Sequence, residues 1–90
     1  MIFEWSKRKN ASNLRKHGVS FEDASKIFDR LPLIFFDEDN SDTEDRYIAI
    51  GLSGLKLLVV AFVEDEGNRI RIISARKATK REEQRYEQGY

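Results

Sequence analysis

Seven consecutive apolar residues, Leu57-Leu58-Val59-Val60-Ala61-Phe62-Val63, set the strongest constraint on how this chain folds. The run is short and rich in β-branched residues, so it reads as a central strand covered on both faces. Turn chemistry brackets it, with Ser53-Gly54 before and Glu66-Gly67-Asn68 after. Connections this short force antiparallel neighbours. Four strand candidates, Leu33–Asp37, Arg46–Leu52, Leu57–Val63 and Arg69–Ala75, therefore form an antiparallel meander.

The residues before the meander carry helix signals. Phe3-Glu4-Trp5 alternates apolar and polar like a short edge strand. Ser6 caps a first helix, Lys7 to Lys16, with Ala11 and Leu14 as its thin apolar stripe, and Gly18 ends it. Ser20 caps a second helix, with Asp23 in the capping-box place and Val19 and Ala24 at staple positions. Phe21, Ala24, Ile27 and Phe28 lie on one face of that helix and point to a core, and Pro32 stops it. After the meander, Thr79 with Glu82 opens a final helix to about Gln88. It is polar nearly all round, with Ala78 and Tyr86 as its few anchors, so it displays charge or meets a partner chain. The expected class is α+β, one domain over residues 1–90: short strand, two helices, four-stranded antiparallel meander, C-terminal helix.

Charge is distributed unevenly. Residues 1–30 hold seven Lys/Arg and four Asp/Glu, residues 31–68 two and nine, and residues 69–90 seven and three. The ends are basic and the middle acidic, so a fold that joins the ends makes one positive face while the sum stays at zero. The acidic block Asp37–Asp45 reads as a solvated loop and lacks the spacing of a divalent-ion loop. The absence of cysteine excludes disulfides and thiolate chemistry, and one histidine excludes a multi-histidine metal site. No apolar run approaches a membrane span and Met-Ile-Phe-Glu-Trp is no signal peptide, so a cytoplasmic protein without cofactor or metal is expected.

The chemistry-bearing residues cluster late in the chain. Within Arg69-Ile70-Arg71-Ile72-Ile73-Ser74-Ala75-Arg76, Ile70 and Ile72 face a core while Arg69 and Arg71 face the other way. Arg76 stands at the strand's exit. Solvent-facing arginines are common, but three of them before a basic helix start suit an anion-binding face. His17 ends the first helix beside Lys16 and reads either as a capping residue or as a general acid or base. Tyr86 shares a helix face with Glu82 and either packs on the sheet, presents its hydroxyl or stacks on a base. There is no Gly-rich phosphate loop and no local serine–histidine–carboxylate relay. RNA supplies its own nucleophile, the 2′-hydroxyl, and its cleavage needs only alignment, charge stabilisation and proton transfer.

Several blocks together resemble the BrnT toxin family of bacterial type II toxin–antitoxin modules. They are Phe3-Glu4-Trp5, Asn13 to Ala24 with Lys16-His17-Gly18-Val19-Ser20-Phe21, Arg46 to Gly51, and Ile70 to Ala78 with Glu82 and Tyr86. The resemblance covers nearly the whole chain; Ser6 and Val63 stand where the family often has aspartate and threonine. It implies a RelE-like endoribonuclease that stops translation by cutting RNA. It also implies a BrnA-like antitoxin that binds operator DNA, a hetero-oligomer of the two, and autorepression. Matched positions give His17, Arg71, Arg76 and Tyr86 as catalytic and Lys16, Arg46 and Glu82 as substrate-binding, and the strand reading adds Arg69 to the substrate-binding set. In this scheme Arg71 and Arg76 hold the scissile phosphate, His17 or Tyr86 moves a proton, Glu82 orients Arg76, and Arg46 pairs with the acidic loop. The competing reading is a non-catalytic module: an antitoxin-bound corepressor component or an RNA-binding domain.

Overall fold

The computed structural model describes residues 1–89. Its elements are β1 (Ile2–Glu4), α1 (Lys7–His17), α2 (Phe21–Ser25), β2 (Leu33–Phe36), β3 (Tyr47–Ser53), β4 (Lys56–Asp65), β5 (Arg69–Lys77) and α3 (Lys80–Gln88). Short 3-10 turns cover Lys26–Asp29 and Glu38–Asn40. Among the described residues, no helix is long and apolar enough to cross a membrane.

The caps form at the expected residues. Ser6 accepts from the Lys9 amide, Ser20 from the Asp23 amide, and Thr79 and Glu82 make a reciprocal capping box. Gly18 closes α1 at φ 70°, a left-handed conformation that glycine adopts without penalty. Helix two is shorter than its apolar pattern implies: regular α-geometry ends at Ser25 and continues as a 3-10 turn. The turn still delivers Ile27 to the core.

The five strands form one sheet in the order β1-β5-β4-β3-β2. The meander from β2 to β5 is antiparallel throughout. β1 adds to the far edge parallel to β5, pairing Phe3 with Ile70 and Glu4 with Arg71. This pairing brings the two basic ends of the chain together.

One face of the sheet carries the principal core. Ala49, Leu58, Val60, Phe62, Ile70, Ile72 and Ala75 meet Val19, Phe21, Ala24 and Ile27, with Phe3, Trp5, Phe28 and Tyr47 at the margin. Phe28 stands edge-on to Phe62, and Trp5 edge-on to Phe21. Gly51 lets Ile27 and Pro32 approach so closely that a Cβ there would lie 3.1 Å from each. α1 departs from expectation. Leu14 is exposed, and the buried residue is Asn13. Its amide donates to the carbonyls of Val19 and Ala75 and accepts from the Ala75 amide. Asn13 thus extends the ladder at the edge of β5 beyond the end of β1, so α1 is held by polar bonds where an apolar stripe was expected.

A bulge in β5 sets up the opposite face. Ala61 stands opposite Ser74 and Phe62 opposite Ile72, leaving Ile73 as an extra residue. Strict alternation would send Arg71 and Arg76, five positions apart, to opposite faces. The extra residue restores phase. Arg71 opposite Val63, Ser74 opposite Ala61 and Arg76 opposite Val59 all point away from the helix-covered core. α3 lies against β3 on this second face. There the Arg85 guanidinium sits 3.9 Å above the Phe35 ring.

Candidate functional site

The second sheet face is polar at both ends and apolar between. At one end, Arg71 donates to Glu44 at 2.6 Å, and its Nε lies 3.6 Å from the Asp65 carboxylate. Arg69 donates to Glu4 at 3.1 Å beside it. Arg46, two residues before Ile48 in the same strand direction, falls on this face too. Its Nε is buried without a hydrogen-bond partner. Leaving such a donor unpaired costs about 1–3 kcal/mol.

Glu44 belongs to the acidic segment before β3, so that segment is more than a solvated loop. Ser41 folds it back: its hydroxyl donates to the Asp37 carbonyl at 2.5 Å and accepts from the Arg46 amide at 3.0 Å. The expected ion pair between Arg46 and the acidic loop does not form. Arg71 takes the carboxylate, because Glu44 reaches across the sheet face to β5.

At the other end Arg76 and Glu82 make a fork. The two terminal nitrogens of Arg76 donate to the two oxygens of Glu82 at 2.7 and 2.8 Å. Glu82 also accepts from the Thr79 amide and hydroxyl. The Arg76 hydrogen bond holds Glu82 down at about 2, assisted by the Thr79 amide and opposed by partial burial. Arg76 is raised by the same hydrogen bond, so both groups stay charged across physiological pH. An end-on fork uses one proton on each terminal nitrogen and leaves the Nε edge of the guanidinium for another ligand.

The structure separates the expected site residues into four places. Arg69, Arg71 and Arg46 share one end of the face, and Arg76 and Glu82 the other. Tyr86, one turn after Glu82, is half-buried in a depression with Leu31, Pro32 and Leu33. Lys16 and His17 are exposed in the last turn of α1. Asn13, one turn before His17, binds Ala75, the neighbour of Arg76. Arg71 and Arg76 do not converge: their partners on β4, Val63 and Val59, are four residues apart, about 13 Å at ~3.3 Å per residue. Each side chain also leans outward, Arg71 toward Asp65 and Arg76 toward α3. Sequence reasoning missed Glu44 and Asn13. The acid-rich middle beside basic ends was a general signal for Glu44; nothing local marked Asn13. Among the described residues, no group of three His, Asp or Glu side chains is placed to hold a metal ion.

A five-stranded sheet with α1 and α2 on one face, and with arginines and α3 on the other, defines a small α+β protein. The sequence model for the ribonuclease toxin BrnT of type II toxin–antitoxin systems matches residues 5–82. The chain belongs to the BrnT toxin family. The 1.1 Å crystal structure of the Brucella abortus ribonuclease toxin BrnT is similar in fold, with a TM-score of 0.65. The two chains are 25% identical over 89% of this chain and 100% of that one. No curated protein matches.

Proposed function

We propose that this chain is an endoribonuclease toxin of RelE-like architecture that acts without a metal ion and stops translation in the cytoplasm. Its partner would be a BrnA-like antitoxin, through which the pair reaches operator DNA. The observation that carries the catalytic reading is the Arg76–Glu82 fork. The carboxylate fixes a permanently charged guanidinium on a rigid strand end, and one edge remains free for a phosphate oxygen.

In the proposed reaction the substrate's 2′-oxygen attacks the adjacent phosphorus, and the bond from phosphorus to the 5′-oxygen breaks. A base takes the 2′-hydroxyl proton and an acid returns one to the departing 5′-oxygen, leaving a cyclic phosphate and a free hydroxyl. Arg76 stabilises charge on the phosphorane. Either His17, tied to the Arg76 region through Asn13 and Ala75, or Tyr86, which shares a helix side with Glu82, moves a proton.

The test is cleavage of total bacterial RNA by purified protein in the presence of a chelator. Arg76→Ala should lower the rate by about 10²–10³, the usual loss for one preorganised donor. Undiminished cleavage by that variant would remove Arg76 from the site. Binding of RNA without cleavage by the unaltered chain would favour the non-catalytic module. Loss of cleavage on chelation would refute the metal-free mechanism.

A further inference from the structure

We infer that the second sheet face grips RNA at two separate phosphates, and that its ligand is single-stranded RNA lying across the face between them. This rests on the ribonuclease reading and specifies its substrate. One grip is Arg76 beside α3. The other is Arg71, opposite Val63 on β4, with Arg46, the residue just before β3.

Three observations carry it. First, the β5 bulge puts Arg71 and Arg76 on the same face but about 13 Å apart, with side chains leaning outward. One phosphate cannot meet both, whereas phosphates two or more nucleotides apart on one strand can. Second, the Arg46 side chain makes no hydrogen bond or ion pair among the described residues: its Nε is buried, but the residue is only half-buried and its terminal nitrogens have no protein partner. Arg71 beside it is held by a carboxylate from the Asp37–Asp45 segment. The Glu44 carboxylate offers Arg71 the oxygens a phosphate would offer, so an RNA phosphate replaces Glu44 on Arg71 and gives Arg46 the acceptor it lacks. Third, Glu4, Glu44 and Asp65 crowd the Arg71 end. A duplex would bring its second row of phosphates against these carboxylates, while a single strand places one phosphate between the arginines. Between the grips, half-buried Ile48 and Ala61 and exposed Ser74 floor the face, with Arg85 over Phe35 at the β2 end of the same row.

The test uses fluorescence anisotropy with 2′-O-methyl RNA, which binds but cannot cut itself. Dinucleotide, tetranucleotide, hexanucleotide and duplex probes are compared on the whole chain. Affinity should rise steeply once the probe carries enough phosphates for both grips, and the duplex should bind more weakly than the hexanucleotide. Arg71→Gln should weaken hexanucleotide binding roughly tenfold and Arg46→Gln by about three- to tenfold. Each should flatten the slope of log affinity against log salt, and the two together by about 0.7, the value for one single-strand phosphate contact. Both changes should weaken the dinucleotide less than the hexanucleotide, because its one phosphate can occupy either grip. Glu44→Gln should tighten binding by roughly two- to fivefold by removing the competing carboxylate. Arg71→Lys keeps the charge and the salt slope while losing the fork, which separates a contact from a folding defect.

The inference fails if affinity is the same for dinucleotide and hexanucleotide, if Glu44→Gln weakens binding, or if the Arg71 and Arg46 variants keep the full salt slope. It fails equally if the face binds an acidic peptide as tightly as the RNA. If it fails while Arg76-dependent cleavage persists, the ribonuclease reading stands and only the second grip is lost. If the unaltered chain neither binds nor cuts RNA, both fall.

Discussion

On the helix-covered face of the sheet, Phe21, Ile27 and Phe62 are enclosed by other apolar side chains. On the opposite face the arginines are held by carboxylates, and one buried donor has no partner at all. The first arrangement gains stability simply from removing apolar surface from water. The second yields little net stability, since partly exposed ion pairs contribute at most about 1 kcal/mol each. Its polar groups make sense as a surface awaiting another anion. The same five strands therefore do two jobs: one side holds the fold together, and the other keeps charge in place.

This division can be broken from either side. Phe21→Ala, which empties the fully buried position between Trp5 and the strands, should cost about 3–5 kcal/mol in chemical denaturation. An effect below about 1 kcal/mol would mean the helix side is not the main stabilising region. Asn13→Ala should cost about 2–3 kcal/mol, because it orphans the amide and carbonyl of Ala75 and the Val19 carbonyl. Amide exchange at Ala75 should rise with it; unchanged exchange would show that water replaces the side chain without loss.

A smaller effect distinguishes the arginine side by pH. Glu82 is depressed in the folded chain to about 2. It therefore contributes stability that is fully present above the unfolded value near 4.5 and is lost as pH falls from there toward 2. Glu82→Gln should cost about 1 kcal/mol at neutral pH through the weakened cap and fork. It should also flatten the acid limb of stability against pH. An acid limb of unchanged steepness would place the titration elsewhere. The smallest effect belongs to the pair of Arg69 with Glu4, both well exposed. Glu4→Gln should change stability by no more than about 0.5 kcal/mol, and less at high salt.

Much of this architecture is written locally in the chain. The apolar run at 57–63 marks the central strand, and Ser53-Gly54 and Glu66-Gly67-Asn68 mark its turns. Ser6, Ser20 and Thr79 mark helix starts because each hydroxyl needs only an amide three residues away. The Thr79–Glu82 box also revealed the carboxylate beside Arg76. What stayed hidden depends on distant partners. The β5 bulge is a matter of one residue, and Ile73 differs in no chemical way from Ile72. The parallel docking of β1 on β5 is a choice between sheet edges that short-range chemistry does not encode. Glu44 finds Arg71, 27 positions away, only because β3 and β5 flank the same strand. The residues that matched a family pattern were thus identifiable as types, while their grouping into two distant grips was not.

The docking of β1 on β5 also governs when the molecule can become itself. Phe3 pairs with Ile70, so β1 must wait for β5, which follows it far along the chain. A polypeptide still leaving the ribosome cannot close its sheet or seat the helix that braces Arg76. Synthesis thereby carries its own delay: the arginine-bearing face is assembled only after residue 82 has emerged.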